Sequence, residues 1–293
     1  MTSVSRRNFL HTGSLALVGA ASMPCMMGEN TGKKLFSAVG IAAPIDKAAV
    51  MKAAGAEFLT ENVGNFLVPD KPEAEFDKNL AKLAFSPLPI LACNGFIRPA
   101  HLHCVGAEAN HDSILAWSEI TFRRMQKAGG KIIVFGSSSA REIPDGWSKE
   151  KADAQFVALL KRMGPLAQAH GIIVTVEQLQ TEECNYINHL AEGAALIRAT
   201  GHPHIRLLAD LYHMACMGDT PDALKAAMDV VAHVEIAEKK ARTVPGVCGD
   251  DFRPFLRILR EANYQGALSI EGKWSDAQLA RAFTEIAKQA GEV

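Results

Sequence analysis

From residue 33 onward the apolar residues follow two alternating patterns. Short runs rich in Val, Ile, Leu and Phe read as buried strands, and longer stretches repeat their apolar positions every three or four residues, as an amphipathic helix does. The runs predict strands at residues 35–43, 57–63, 90–94, 131–136, 171–179, 205–213, 231–238 and 266–272. The stretches between them predict helices at 46–54, 73–84, 112–127, 150–170, 186–200, 221–230, 251–262 and 276–290. Asp112, Thr220 before Pro221, and Ser275 suit helix starts, while Gly129-Gly130, Gly171 and Gly201 suit helix stops. Eight strand–helix units in one chain favour a closed parallel barrel over an open sheet. The fold class expected is therefore α/β, a single-domain (β/α)8 TIM barrel over residues 33–293.

The first 30 residues break this rhythm. Ser5-Arg6-Arg7-Asn8-Phe9-Leu10 is a twin-arginine pattern, and a mild apolar stretch over residues 15–21 follows it. Residues 1–30 thus read as a Tat-type signal peptide and spacer, an address read by the Tat translocase and not part of the fold. The apolar run is too short for a stable membrane span. A periplasmic or exported protein is expected. Cys25 follows Ser22-Met23-Pro24, a poor lipobox whose proline argues against lipid anchoring. Cys93, Cys104, Cys184, Cys216 and Cys248 show no CxxC spacing and no disulfide framework.

Composition fits a globular chain of this kind. The sequence has 293 residues, 48% of them hydrophobic, with 31 basic against 32 acidic side chains. Neither that balance nor any basic block points to nucleic acid. Nothing in it decides between a monomer and a homo-oligomer.

Candidate chemistry lies where the strands end, because a TIM barrel builds its active site at the C-terminal mouth. Glu177 lies near the end of the fifth predicted strand and Asp210 near that of the sixth; Glu235 sits in the seventh and Glu271 closes the eighth. Carboxylates are rarely buried unless paired or bound to a metal. Four converging on one mouth would repel each other, raising their pKa values or demanding a cation. One divalent metal ion is the simplest solution. All-oxygen ligation favours Mn²⁺ or Mg²⁺, with Co²⁺ or Zn²⁺ as further options.

These residues resemble those of the sugar phosphate isomerase/epimerase superfamily, the xylose-isomerase-like TIM barrels that include ketose 3-epimerases and hydroxypyruvate isomerase. The similarity covers roughly residues 35–290 and is strongest over 171–273. Asp210-Leu211-Tyr212-His213 resembles the family's Asp-x-x-His signature, and Ser269-Ile270-Glu271-Gly272 resembles its strand-eight signature. The resemblance implies Glu177, Asp210, Glu235 and Glu271 as metal ligands, with His213 on the substrate. The family often carries His-x-His on strand seven, whereas this chain has His233-Val234-Glu235. Strand alternation puts His233 and Glu235 on one face. Glu235 is the aligned ligand; the rival arrangement makes His233 the ligand and Glu235 its neighbour. A fourth carboxylate would make the metal a weaker Lewis acid. Glu183 matches a substrate-contacting Glu six residues after Glu177, and Arg242 matches an Arg three residues before Pro-Gly. Lys239 and Lys240 compete for that second role. Trp274 is a candidate sugar platform, and His101 and His103 are candidate substrate contacts. Glu61 either reaches the pocket or sits in a buried ion pair.

The chemistry implied is proton removal beside a carbonyl. Glu177 and Glu271 would act as bases, with a cation near the developing enediolate oxygen. Epimerisation and aldose–ketose isomerisation share these parts, and so does β-elimination from a 3-keto-glycoside by a lyase or hydrolase. Export and the lack of a P-loop-like glycine motif point to an unphosphorylated sugar or keto-sugar. A degenerate barrel serving as a periplasmic sugar-binding protein is the non-enzymatic alternative. An endonuclease-like relative would need a histidine-rich zinc cluster and a basic surface, and neither is visible.

Overall fold

The structure is a computed structural model that describes residues 34–293. The twin-arginine segment and Cys25 lie outside the described residues. Eight parallel strands close into a barrel in chain order. They are β1 Val39–Ala42, β2 Leu59–Asn62, β3 Ile90–Asn94, β4 Ile132–Phe135, β5 Ile173–Glu177, β6 Ile205–Asp210, β7 Val231–Ile236 and β8 Leu268–Ile270. Closure is made by β8 returning to β1, with Leu268 opposite Val39 and Ile270 opposite Ile41.

The helices are α1 Ala48–Ala54, α2 Glu73–Leu83, α3 His111–Lys127, α4 Ser138–Arg141, α5 Lys149–Ala169, α6 Leu190–Thr200, α7 Leu211–Met217, α8 Pro221–Ala227, α9 Arg253–Glu261 and α10 Asp276–Gly291. Among the described residues no helix is long and apolar enough to cross a membrane.

Strand alternation divides the side chains between two cores. Val174, Val176, Leu207, Ala209, Val234, Ile236, Leu268 and Ile270 join the large apolar core that also contains the helix side chains. The intervening residues face the barrel interior. There a small separate cluster of Ala92, Ile132, Val134 and Leu208 fills one side. Thr60 and Ser269, 2.8 Å apart through their hydroxyls, and the buried His233 supply polar interior groups. The same parity turns Glu177, Asp210 and Glu235 inward at the C-terminal ends.

The sequence reading needs correction at several boundaries. The sixth strand stops at Asp210 instead of running to residue 213, because the Asp210 side chain accepts the Tyr212 N–H at 2.8 Å and caps α7. The seventh strand ends at Ile236, two residues short of the expected 238. Helix α6 begins at Leu190 and not at 186, where Asn188 and His189 donate backbone N–H groups to Glu192. Asp112 lies within the first turn of α3, whose N-cap is Asn110. Pro221 does open α8 at its first position, and Gln278 accepts the Ser275 N–H at the start of α10. Gly201, at φ 67°, closes α6 as a left-handed cap. The five cysteines among the described residues are free thiols, and Cys93, Cys104 and Cys184 are buried.

Candidate active site

The ends of β5 to β8 each contribute one carboxylate to the mouth. These are Glu177, Asp210, Glu235 and Glu271, each with an oxygen within 4.8 Å of the others. Asp210 and Glu235 are direct partners across the β6–β7 register. His233, two residues earlier on the same face, lies deeper, with Nε2 3.8 Å from Glu235 Oε1. Both groups are fully buried.

Burial and mutual repulsion shape the electrostatics. Burial, then Glu271 and Asp210, push the Glu177 carboxyl well above the ordinary range. Burial, Glu271, Glu177 and Asp210 do the same to Glu235. Asp210 is pushed up to about 6 by burial, against the pull of Arg242 and the backbone N–H groups of Tyr212 and His213. Glu271 is also raised by burial, although Arg242 and the Asn94 amide favour its ionised form. Desolvation moves the imidazoles the other way: His213 falls to about 3 and His233 to about 4, so both are neutral at ordinary pH.

Glu235 is the most telling member. Neither of its carboxylate oxygens has a hydrogen-bond partner among the described residues. A buried ionisable group left this bare is costly unless a cation satisfies it. The donor set fits one divalent ion with oxygen ligands, the chemistry of a hard metal. His213 points differently. Its Nδ1 accepts the Gln180 N–H at 3.1 Å, which places the ring proton on Nε2. That nitrogen faces Asp210 Oδ2 at 3.5 Å and Glu177 Oε1 at 3.6 Å, poised as a donor at the edge of the cluster.

Arg242 spans the mouth from the loop after β7. Its guanidinium pairs with Glu271, reaches Glu183 at 3.2 Å and Asp210 at 3.4 Å, and lies 4.6 Å over the Tyr212 ring. Lys239 and Lys240, the competing cations, are exposed and do not line the cleft. Glu183 does line it, as do His213 and Arg242. Trp274 packs partly buried against the apolar core and is not part of the cleft wall. His101 and His103 are likewise off the cleft wall. Glu61 takes neither of its expected roles. It accepts the backbone N–H groups of Ile45 at 2.6 Å and Asn62 at 2.7 Å, and so pins the turn after β1.

Several cleft residues escaped the sequence reading. Asn94 donates to Glu271 Oε1 at 2.7 Å, and Asn62 approaches Asn94 at 3.3 Å. Arg98 donates to Asn62 Oδ1 at 3.3 Å. Asn62 and Asn94 end their strands just as the acids do, so a search for any polar strand end would have found them. Among the described residues no Trp, Tyr or Phe lines the cleft, whose wall is mostly polar and charged.

On β4 the matching place is taken by Gly136. A Cβ there would lie 2.3 Å from Glu177 Oε2. Gly136→Ala is expected to keep the fold but displace the Glu177 carboxylate, and a misplacement of about 1 Å can lower a rate about 100-fold. Proton-exchange rates compared at matched thermal stability check this; an unchanged rate would mean that the observed Glu177 position is unimportant.

A sequence model of the family described as "Xylose isomerase-like TIM barrel" matches residues 45–290. The chain belongs to this family. Among curated relatives, the 3-dehydro-D-guloside 4-epimerase of Escherichia coli is 29% identical over 171 residues, 58% of this chain and 59% of that one. The D-psicose 3-epimerase of Agrobacterium fabrum is 30% identical over 119 residues, 40% of this chain and 41% of that one. The matched stretches thus span between about two-fifths and three-fifths of these relatives. Solved structures match more of the chain. A 3-keto-D-glucoside 4-epimerase from E. coli superposes with TM-score 0.71 at 23% identity, covering 86% of this chain and 98% of its own. An L-ribulose 3-epimerase gives 0.73 at 19%, covering 87% and 95%. At such identities these likenesses concern the fold.

Proposed function

We propose that the protein is a metal-dependent isomerase or epimerase of an unphosphorylated sugar or keto-sugar, working through an enediolate. The observation that carries this reading is the convergence of Glu177, Asp210, Glu235 and Glu271, with both Glu235 oxygens bare. Those four residues would hold one divalent ion, Mn²⁺ or Mg²⁺ being favoured by the all-oxygen set. Such an ion supplies positive charge beside a developing enediolate oxygen.

The chain's own groups supply the rest. Glu177 and Glu271 stand three strands apart around the mouth, so they can serve opposite sides of a bound carbon. Burial raises both carboxyls above the ordinary carboxylate range, which suits them to hold and return a proton. The His213 Nε2–H and the Arg242 guanidinium direct donors at substrate oxygens, and Glu183 holds Arg242 from the outer side. Asn62, Asn94 and Arg98 offer further donors to hydroxyls. Sugar epimerases and isomerases among the relatives agree with this chemistry.

The names of two relatives specify 3-keto or 3-dehydro glycosides. Both names describe 4-epimerases and so agree with the first reading on a keto-glycoside, while a keto-glycoside substrate also admits a second reading: removal of the proton on the other side of the carbonyl, at C2, would expel the C1 aglycone by β-elimination as the free alcohol. Export by the Tat translocase to the periplasm or beyond, resting on Ser5-Arg6-Arg7, fits unphosphorylated substrates of either kind.

Incubation of the metal-loaded protein with free ketoses and 3-keto-glycosides in D₂O separates these readings. Deuterium entering beside the carbonyl, with a new sugar formed, supports the isomerase or epimerase. Aglycone release supports elimination. Sugar binding without exchange or release would leave a binding protein and overturn the proposal.

A further inference from the structure

The loop after β7 carries Arg242 in an unusual way. Ala241 and Arg242 both adopt left-handed backbone conformations, at φ 60° and 52°. Non-glycine side chains crowd the backbone in that region, so the surroundings must impose it. On the far side the imposition is visible. Lys273 N–H donates to the Arg242 carbonyl at 2.6 Å, and Val244 N–H donates to the Lys273 carbonyl at 3.2 Å.

On the near side Asp250 Oδ2 accepts the Lys239 N–H at 2.7 Å, and the remaining bonds converge on one buried side chain. Glu238 is fully buried, and no cation pairs with it among the described residues. Its Oε1 accepts the N–H groups of Gly246 at 2.9 Å and Gly249 at 2.8 Å. Its Oε2 accepts the Thr243 hydroxyl at 2.8 Å and the Cys248 N–H. Its own N–H donates to the Thr243 carbonyl at 2.8 Å. A carboxylate that accepts several N–H and O–H donors stays charged without a counter-ion. The bonds reach both limbs of the loop, residues 243 and 246–249, and the tip that lies between Glu238 and Thr243 is the part that bears Arg242.

We infer that Glu238 is a positioning residue for Arg242, gripping the loop so that the guanidinium is delivered over Asp210, Glu271 and Glu183. The inference rests on the functional reading above only in making Arg242 a substrate-orienting group. Glu238 itself touches no reacting atom: it does not line the cleft, and its bonds all go to its own loop. Replacing it by Gln puts an NH₂ where an oxygen now accepts, so at least one loop donor loses its partner.

A double-mutant cycle tests the coupling. Glu238→Gln alone is expected to lower kcat/KM for the sugar about tenfold or more. In an Arg242→Ala background the same change should cost less than about twofold, because the group being positioned is gone. Equal losses in both backgrounds would overturn the inference and leave Glu238 with a structural role. Thr243→Val, which removes a single clasp, should shift kcat/KM the same way by less and serves if Glu238→Gln folds poorly. A second readout needs no turnover. The reaction of Arg242 with an α-dicarbonyl reagent, followed by peptide mapping, should run several-fold faster in Glu238→Gln than in the wild type. An unchanged rate would overturn the inference. A faster rate in a protein that turns over no sugar would uphold the positioning while refuting the functional reading.

Discussion

Glu177→Gln is expected to reduce deuterium exchange into the substrate by about 10²–10⁴-fold, the usual contribution of a positioned base. Gln keeps the shape of Glu and its hydrogen-bonding reach but accepts no proton. Glu177 is 5% exposed, held on the last residue of β5, and burial and its neighbours raise its pKa. Glu271→Gln should bring a comparable loss, softened by its greater exposure and its fixed bond from Asn94. Glu235→Gln separates the two roles of the cluster. It removes charge from the deepest member and should weaken metal retention before it alters proton transfer. Metal content measured beside exchange rate for each variant distinguishes these effects. If Glu177→Gln retains metal and exchanges within tenfold of wild type, Glu177 is not the base.

Metal-linked stabilisation that grows with pH is the second large effect. An ion that binds only the folded protein stabilises it by about 4 kcal/mol at a free concentration 1,000 times its Kd. For a domain of this size that corresponds to a rise in Tm of roughly 10 °C. The sign of the pH dependence follows from the carboxyls. Their folded pKa values lie above the ordinary value of about 4, so without metal the folded protein binds protons that the unfolded chain has released. The metal-free protein therefore loses this part of its stability as pH rises from about 4 through the value of about 6 at Asp210 and beyond. A metal must displace those protons, and does so more easily at high pH. The depressed His213 and His233 oppose this below about 6.5, where the unfolded imidazoles take up protons. Because they do so with or without metal, the difference between the two Tm curves isolates the acids. That difference should be near zero at pH 5 and largest at pH 8. A flat difference, or none with Mn²⁺, Mg²⁺, Co²⁺ or Zn²⁺, would remove the metal from the proposal.

The legible part of this protein was the part governed by strand period. Val174-Thr175-Val176-Glu177 and His233-Val234-Glu235-Ile236 alternate visibly, so the eightfold barrel and the inward acids could be read from the chain. Features that depend on how the chain turns after a strand were hidden. Leu211-Tyr212-His213-Met214 is apolar enough to extend a strand, yet Asp210 caps a helix there. Glu238 reads as a strand residue, and its loop-gripping role exists only because residues 243–249 fold back over it. Asn62 and Asn94 were passed over because an amide at a strand end carries no burial penalty as severe as that of a charge. Trp274 is the converse case: an aromatic close in sequence to Glu271 packs partly buried against the apolar core.

The mouth is built unevenly, and that has a use. β5 to β8 supply the acids, whereas β2 and β3 end in amides and β4 gives way to a glycine. Carboxylates and amides thereby fall in opposite halves of the ring. Under the proposed function, directed evolution would diversify what is accepted at Asn62, Arg98 and Ser137, which line the cleft on that side, and leave the acidic half unchanged.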